Sequence, residues 1–190
     1  MNEETITIVS GLPRSGTSMM MKMLEAGGMP ILTDNIRTAD EDNPRGYYEF
    51  ERVKQIEHDQ SWLEHAKGKA VKMISALLEQ LPQDYTYKVI FMRRRMEEVL
   101  ASQRQMLIRR GEATDSVSDE KMAELFQRHV RHVERWMEKQ PNMEVIYVSY
   151  HQVVQDPVEQ AQRVNQLLGN TLNLGNMVSI VDRSLHRQRR

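Results

Sequence analysis

Gly11-Leu12-Pro13-Arg14-Ser15-Gly16-Thr17-Ser18 follows the apolar run Ile6-Thr7-Ile8-Val9-Ser10 and precedes Met19-Met20-Met21-Lys22-Met23-Leu24, a helix-like run. A strand, a tight turn with two glycines separated by four residues, and a helix start together make a cradle for an oxyanion. The glycines let the backbone turn and aim consecutive N–H groups at a ligand, and the helix N-terminus adds its partial positive charge. The usual P-loop then supplies Lys for the terminal phosphates and Ser or Thr for a magnesium ion. Here Thr17 stands where that Lys belongs, and the cation, Arg14, lies inside the loop. The segment therefore reads as an anion site that is not built for magnesium-ATP chemistry, with Pro13, Arg14, Ser15, Gly16, Thr17 and Ser18 as its contacts. The plain alternative is a strand-to-helix turn capped by Ser or Thr.

The rest of the chain alternates in the same way. Short apolar runs at 5–10, 70–73, 87–92 and 144–149 predict strands; helical patterns fall at 17–26, 49–66, 75–81, 97–109, 119–139 and 157–168. Such alternation predicts an α/β fold of the three-layer P-loop type, with a central parallel sheet flanked by helices and ligands at the carboxyl ends of the strands. The 190 residues show no composition shift or linker, so one domain over 1–190 is expected. A net charge of −1 excludes a broadly basic, nucleic-acid-type surface, and the absence of cysteine excludes disulfides and Cys-based metal sites. No apolar run reaches the length of a membrane span and no signal-like N-terminus is present, from which a cytoplasmic protein is expected.

The loop resembles the 5′-phosphosulfate loop of sulfotransferases, which bind their donor, 3′-phosphoadenosine-5′-phosphosulfate (PAPS), without a metal. Three further segments resemble that family in order. Tyr87-Lys88-Val89-Ile90-Phe91-Met92 leads into Arg93-Arg94-Arg95-Met96-Glu97-Glu98-Val99-Leu100-Ala101-Ser102. The family holds the 3′-phosphate with an Arg at a strand end and a Ser eight positions later, which implies Arg94 and Ser102. Residues that far apart on a helix return to nearly the same face. Lys69-Ala70-Val71-Lys72-Met73-Ile74 resembles a strand whose Lys contacts the phosphosulfate bridge, which implies Lys72. The His that acts as base two residues later in cytosolic members is Ile74 here. Val145-Ile146-Tyr147-Val148-Ser149-Tyr150 resembles the family's late strand, although His151 replaces the usual acid. The resemblance spans roughly residues 5 to 169, and the C-terminal Arg-Lys-Gly motif of cytosolic members is absent.

Sulfuryl transfer needs donors for developing charge and a base for the acceptor proton. The segment Asn43-Pro44-Arg45-Gly46-Tyr47-Tyr48-Glu49 resembles an Asn-Pro-x-Gly-Tyr/Phe-x-Glu stretch of bacterial sulfotransferase-like proteins, which makes Glu49 a candidate base. His58 is a weaker one, and a polar helix surface is its simpler explanation. His129 and His132 have a helical spacing that could bind metal, but without a third ligand they read as a solvated face, so no metal is expected. Met122, Phe126, Val130, Val133 and Met137 follow helical periodicity and read as core. Residues 27–48 are longer than a strand–helix connection needs and read as a substrate-side flap; 170–190 read as a C-terminal tail.

The sequence thus predicts an enzyme resembling a small bacterial PAPS-dependent sulfotransferase acting on a hydroxyl or amine of a small-molecule or carbohydrate acceptor. Two alternatives stay open: a P-loop nucleotide kinase with a displaced cation, and a non-catalytic relative that binds a nucleotide or a partner.

Overall fold

The structure, a computed structural model, describes residues 4–34, 36, 46–109, 111 and 117–181. Five strands, β1 (Thr5–Gly11), β2 (Ile31–Leu32), β3 (Ala70–Lys72), β4 (Thr86–Arg93) and β5 (Met143–Ser149), form one parallel sheet in the order β2-β3-β1-β4-β5. All seven residues of β1 are buried, as expected of a central strand covered on both faces. Side chains alternate between the faces. Val9, Ile90 and Met92 point into one core with the buried methionines Met20, Met21 and Met23 of α1 (Thr17–Ala26). Ile8, Val89 and Phe91 point into the other, with Trp62 and Leu63 and with Val133 and Met137 of α4 (Asp119–Met137). The expected three-layer α/β architecture is present.

The register fixes where the ligand edge lies. Val9 pairs with Lys72 on one side and Ile90 on the other, and Gly11 pairs with Met92. The loop after β1, the end of β3 and the end of β4 therefore leave the sheet side by side, at the carboxyl edge where open α/β sheets bind ligands.

Several elements differ from the sequence reading. The single helix expected over 49–66 is a 3₁₀ segment (Glu51–Gln55), a turn, and the four-residue α2 (Leu63–Ala66). Asp59 causes the interruption: its Oδ1 accepts from Ser61 N at 3.0 Å and Ser61 Oγ at 2.7 Å, a side-chain turn that competes with helix continuation. Residues 75–81 form a 3₁₀ segment (Ser75–Gln80) rather than an α-helix. The helix after β4 is α3 (Met96–Arg109). Of the apolar residues expected as core on α4, only Val133 and Met137 are buried; Met122, Phe126 and Val130 are half-buried.

The C-terminal third contains two helices that periodicity did not show. α5 (Tyr150–Gln155) and α7 (Leu174–Ser179) have six residues each, too few for a helical period to stand out, and they flank α6 (Pro157–Leu167). Their starts are set by capping: Gln152 N donates to Ser149 Oγ, Glu159 N to Asp156 Oδ1 and Asn176 N to Asn173 Oδ1. α7 packs on α1 so closely that a Cβ on Gly27 would lie 2.7 Å from Met177 Cγ. The first part of the expected tail is thus core, and 182–190 lie outside the described residues, as do 35 and 37–45 of the expected flap.

Candidate active site

Both loop glycines are required by contact. Gly11 has φ +146°, and a Cβ there would lie 2.6 Å from Met92 O and from Ser15 Oγ. Gly16 has φ +101°, and its Cβ would lie 2.5 Å from Tyr150 Cδ2. Between them Arg14 is held at φ +71°, a left-handed conformation that costs a side-chain-bearing residue about 1–2 kcal/mol. The turn is closed by Ser15 N donating to Leu12 O at 3.2 Å.

The loop fits an anion on two further observations. Ser15 Oγ is buried and has no hydrogen-bond partner. The start of α1 has no side-chain cap and no acid in its first turn, so its orphan N–H groups and dipole are left for a ligand.

The β4 end forms one wall. Arg14 Nε donates to Ser102 Oγ at 2.9 Å, which joins the loop to α3. Arg94 is nearly buried: its Nε pairs with Glu98 Oε2 at 2.8 Å, its Nη1 donates to Arg14 O at 3.0 Å, and its guanidinium lies 4.4 Å from the Tyr150 ring centre. Arg94 thus neutralises Glu98 and fixes the strained loop. Arg93 turns outward, pairing with Glu134 at 2.7 Å and stacking on Tyr147.

The β3 end forms the opposite wall. Lys72 Nζ donates to Tyr47 O, reaches Ser18 Oγ at 3.4 Å and lies 3.5 Å from Glu49 Oε1. Ser18 Oγ donates to the same Tyr47 carbonyl at 3.3 Å. The strap from Gly46 to Glu51 that carries these groups is sewn down by Thr33 Oγ1 to Glu49 O at 2.8 Å and by Glu51 N to Asp34 Oδ2 at 2.6 Å. Two residues expected from separate motifs, Lys72 and Glu49, are therefore brought together, next to the last residue of the loop.

The histidines are placed differently from one another. His58 is exposed on the turn after the first 3₁₀ segment. His129, expected on a solvated face, is half-buried with Nε2 2.9 Å from Ser75 Oγ, and burial lowers its pKa from the ordinary 6.5. His132 Nε2 lies 2.7 Å from Glu79 Oε1. The described residues contain no group of three or more side chains suited to a metal. Ile74, at the position of the cytosolic family's His, is 45 % exposed.

The family model for the sulfotransferase domain matches residues 4–189. The chain belongs to the sulfotransferase family. Its fold agrees with that of solved sulfotransferases at low sequence identity. Mouse sulfotransferase SULT7A1, complexed with PAP, is 19% identical with a TM-score of 0.60, over 95% of this chain and 63% of the mouse chain. Sulfotransferase STF1 from Mycobacterium tuberculosis is 17% identical with a TM-score of 0.61, over 94% of this chain and 75% of that one. The sulfotransferase domain from the curacin biosynthetic pathway is 14% identical with a TM-score of 0.52, over 87% and 74% of the two chains. The chain spans less than two thirds of the mouse chain it matches. No curated protein matches it in sequence. None of its described helices is long and apolar enough to cross a membrane.

Sequence reasoning missed four contributors to this candidate site: Tyr47, Tyr48, Glu98 and Tyr150. Glu98 was findable, since a Glu four residues after Arg94 on a helix is a natural partner. The tyrosines act through a backbone carbonyl, a strained turn and a ring face, for which linear spacing carries no signal.

Proposed function

We propose that this chain is a PAPS-dependent sulfotransferase that modifies a hydroxyl or amine of a small-molecule or carbohydrate acceptor, and that its 190 residues act as one domain. The observation that carries this reading is the loop: an unpartnered, buried Ser15 Oγ and an uncapped helix start beside Arg14, with Thr17 in place of the magnesium-ATP lysine. The PAP in the mouse relative agrees with it.

When bound, PAPS supplies an activated sulfuryl group on its 5′-phosphate. The loop amides, Ser15, Thr17, Ser18 and Arg14 hold the phosphosulfate end. Ser102 orients Arg14 and, with Arg94, would hold the 3′-phosphate. Lys72 would stabilise charge that develops on the bridging oxygen as the bond from sulfur to that oxygen breaks and PAP leaves, and the Glu49 carboxylate beside it would accept the proton of the acceptor hydroxyl or amine. No metal enters these roles.

Calorimetric titration without magnesium, comparing PAP with ADP, tests the reading. PAP is expected to bind at least tenfold more tightly, and Ser102→Ala to weaken PAP more than ADP. Equal affinities would overturn the donor assignment. The exposed Ile74 at the cytosolic base position favours a second reading, a nucleotide-binding relative without catalysis; it predicts tight PAP binding with no transfer to any acceptor.

A further inference from the structure

Among the described residues three non-glycines have positive φ: Arg14, Tyr48 and Asn170. Asn170 follows Gly169 at the end of α6, where a left-handed residue commonly closes a helix. Arg14 belongs to the anion loop. Tyr48, at φ +54°, is neither a helix end nor a residue type that tolerates this region well. Such an outlier points to function when its surroundings enforce it.

The enforcing contact is specific. Tyr48 OH donates to Glu25 Oε2 at 2.6 Å. Glu25 lies in the last turn of α1, where the helix dipole disfavours an acid, and Tyr48 gives it a donor. The consequence falls on Lys72. The Tyr47–Tyr48 peptide turns its carbonyl onto Lys72 Nζ and Ser18 Oγ, while Glu49, on the other side of Tyr48, places its carboxylate 3.5 Å from the same ammonium. Were Tyr48 in the ordinary extended region, this carbonyl would swing by roughly half a turn relative to Glu49, and the two acceptors could not converge on one nitrogen.

We propose that Tyr48 is a positioning residue: latched to Glu25, it holds the Tyr47 carbonyl and the Glu49 carboxylate on Lys72 and so sets where that ammonium stands at the transfer site. The proposal rests on the sulfotransferase reading for the role of Lys72 and Glu49, but its test does not.

The test is competitive acetylation of the nucleotide-free protein with acetic anhydride, followed residue by residue by mass spectrometry, in wild type, Tyr48→Phe, Glu25→Ala and the double variant. Lys88 and Lys139 serve as internal references. Lys72 has a side chain only 10% exposed and held by acceptors, so it should label slowly in wild type. Each single variant is expected to raise the Lys72 rate roughly two- to tenfold, the worth of one hydrogen bond, and leave the references unchanged. The double variant should rise no further, because both substitutions release one contact. An unchanged Lys72 rate in either single variant, a multiplied effect in the double, or an equal rise at all three lysines would overturn the proposal. Since no nucleotide is present, this outcome is independent of whether PAP binds.

Discussion

The role proposed for Arg94 and its place in the fold pull against each other. A residue that receives a phosphate should offer unengaged donors, yet this guanidinium already meets Glu98, the Arg14 carbonyl and the Tyr150 ring. Its pair with Glu98 is almost dry, and removing one member of such a pair leaves an uncompensated charge that costs about 3–5 kcal/mol. Arg94→Ala is therefore expected to lower the urea unfolding free energy by about that amount, and any loss of PAP binding in it will be mixed with loss of fold. The variant Arg94→Met combined with Glu98→Leu removes both charges and should recover most of the stability while still failing to prefer PAP over ADP. Recovery of that preference would show that Arg94 acts on the fold alone.

At the scale of elements, the 3₁₀ segment Ser75–Gln80 is joined to α4 by two histidines, His129 to Ser75 and His132 to Glu79. This joint lies just after Lys72 and so steadies the exit of β3. Burial holds the His129 pKa below its ordinary 6.5, so the unfolded chain binds the proton more readily than the folded one. Stability from this group is complete above about pH 6.5 and falls as pH drops toward the lower folded value. Thermal melts across this window should show a smaller acid-side loss in His129→Gln than in wild type; identical slopes would mean that the imidazole stays solvated. Phase along α4 alone could not reveal this, since the partner of His129 comes from an element fifty-four residues earlier.

The whole molecule depends on closure of the C-terminal part against α1. Met177 on α7 is completely buried and packs beside Gly27 and Leu172. Met177→Ala should cost about 2–5 kcal/mol in chemical denaturation, the usual range for a buried Met, whereas a mere tail would tolerate it. Because α1 also presents the loop amides, this variant should weaken PAP binding as well. Calorimetry on the two proteins at a temperature where both are folded would measure it.

From the sequence one can read the parallel α/β frame, because a buried central strand needs a continuous apolar run and a phosphate-type loop needs its glycines at fixed spacing; β1, the loop and α1 are all legible locally. The sequence also named Arg14, Lys72, Glu49, Arg94 and Ser102 through motif order and resemblance. How these residues meet follows from long-range packing. Strand register sets Lys72 and the loop at one level, the strap folds Glu49 back onto Lys72, and Tyr150 arrives from the far end of the chain to close on Gly16 and Arg94. The physical reason is range: propensity, capping and periodicity act over a few residues, whereas convergence of donors at a site is fixed by packing between segments far apart in the chain.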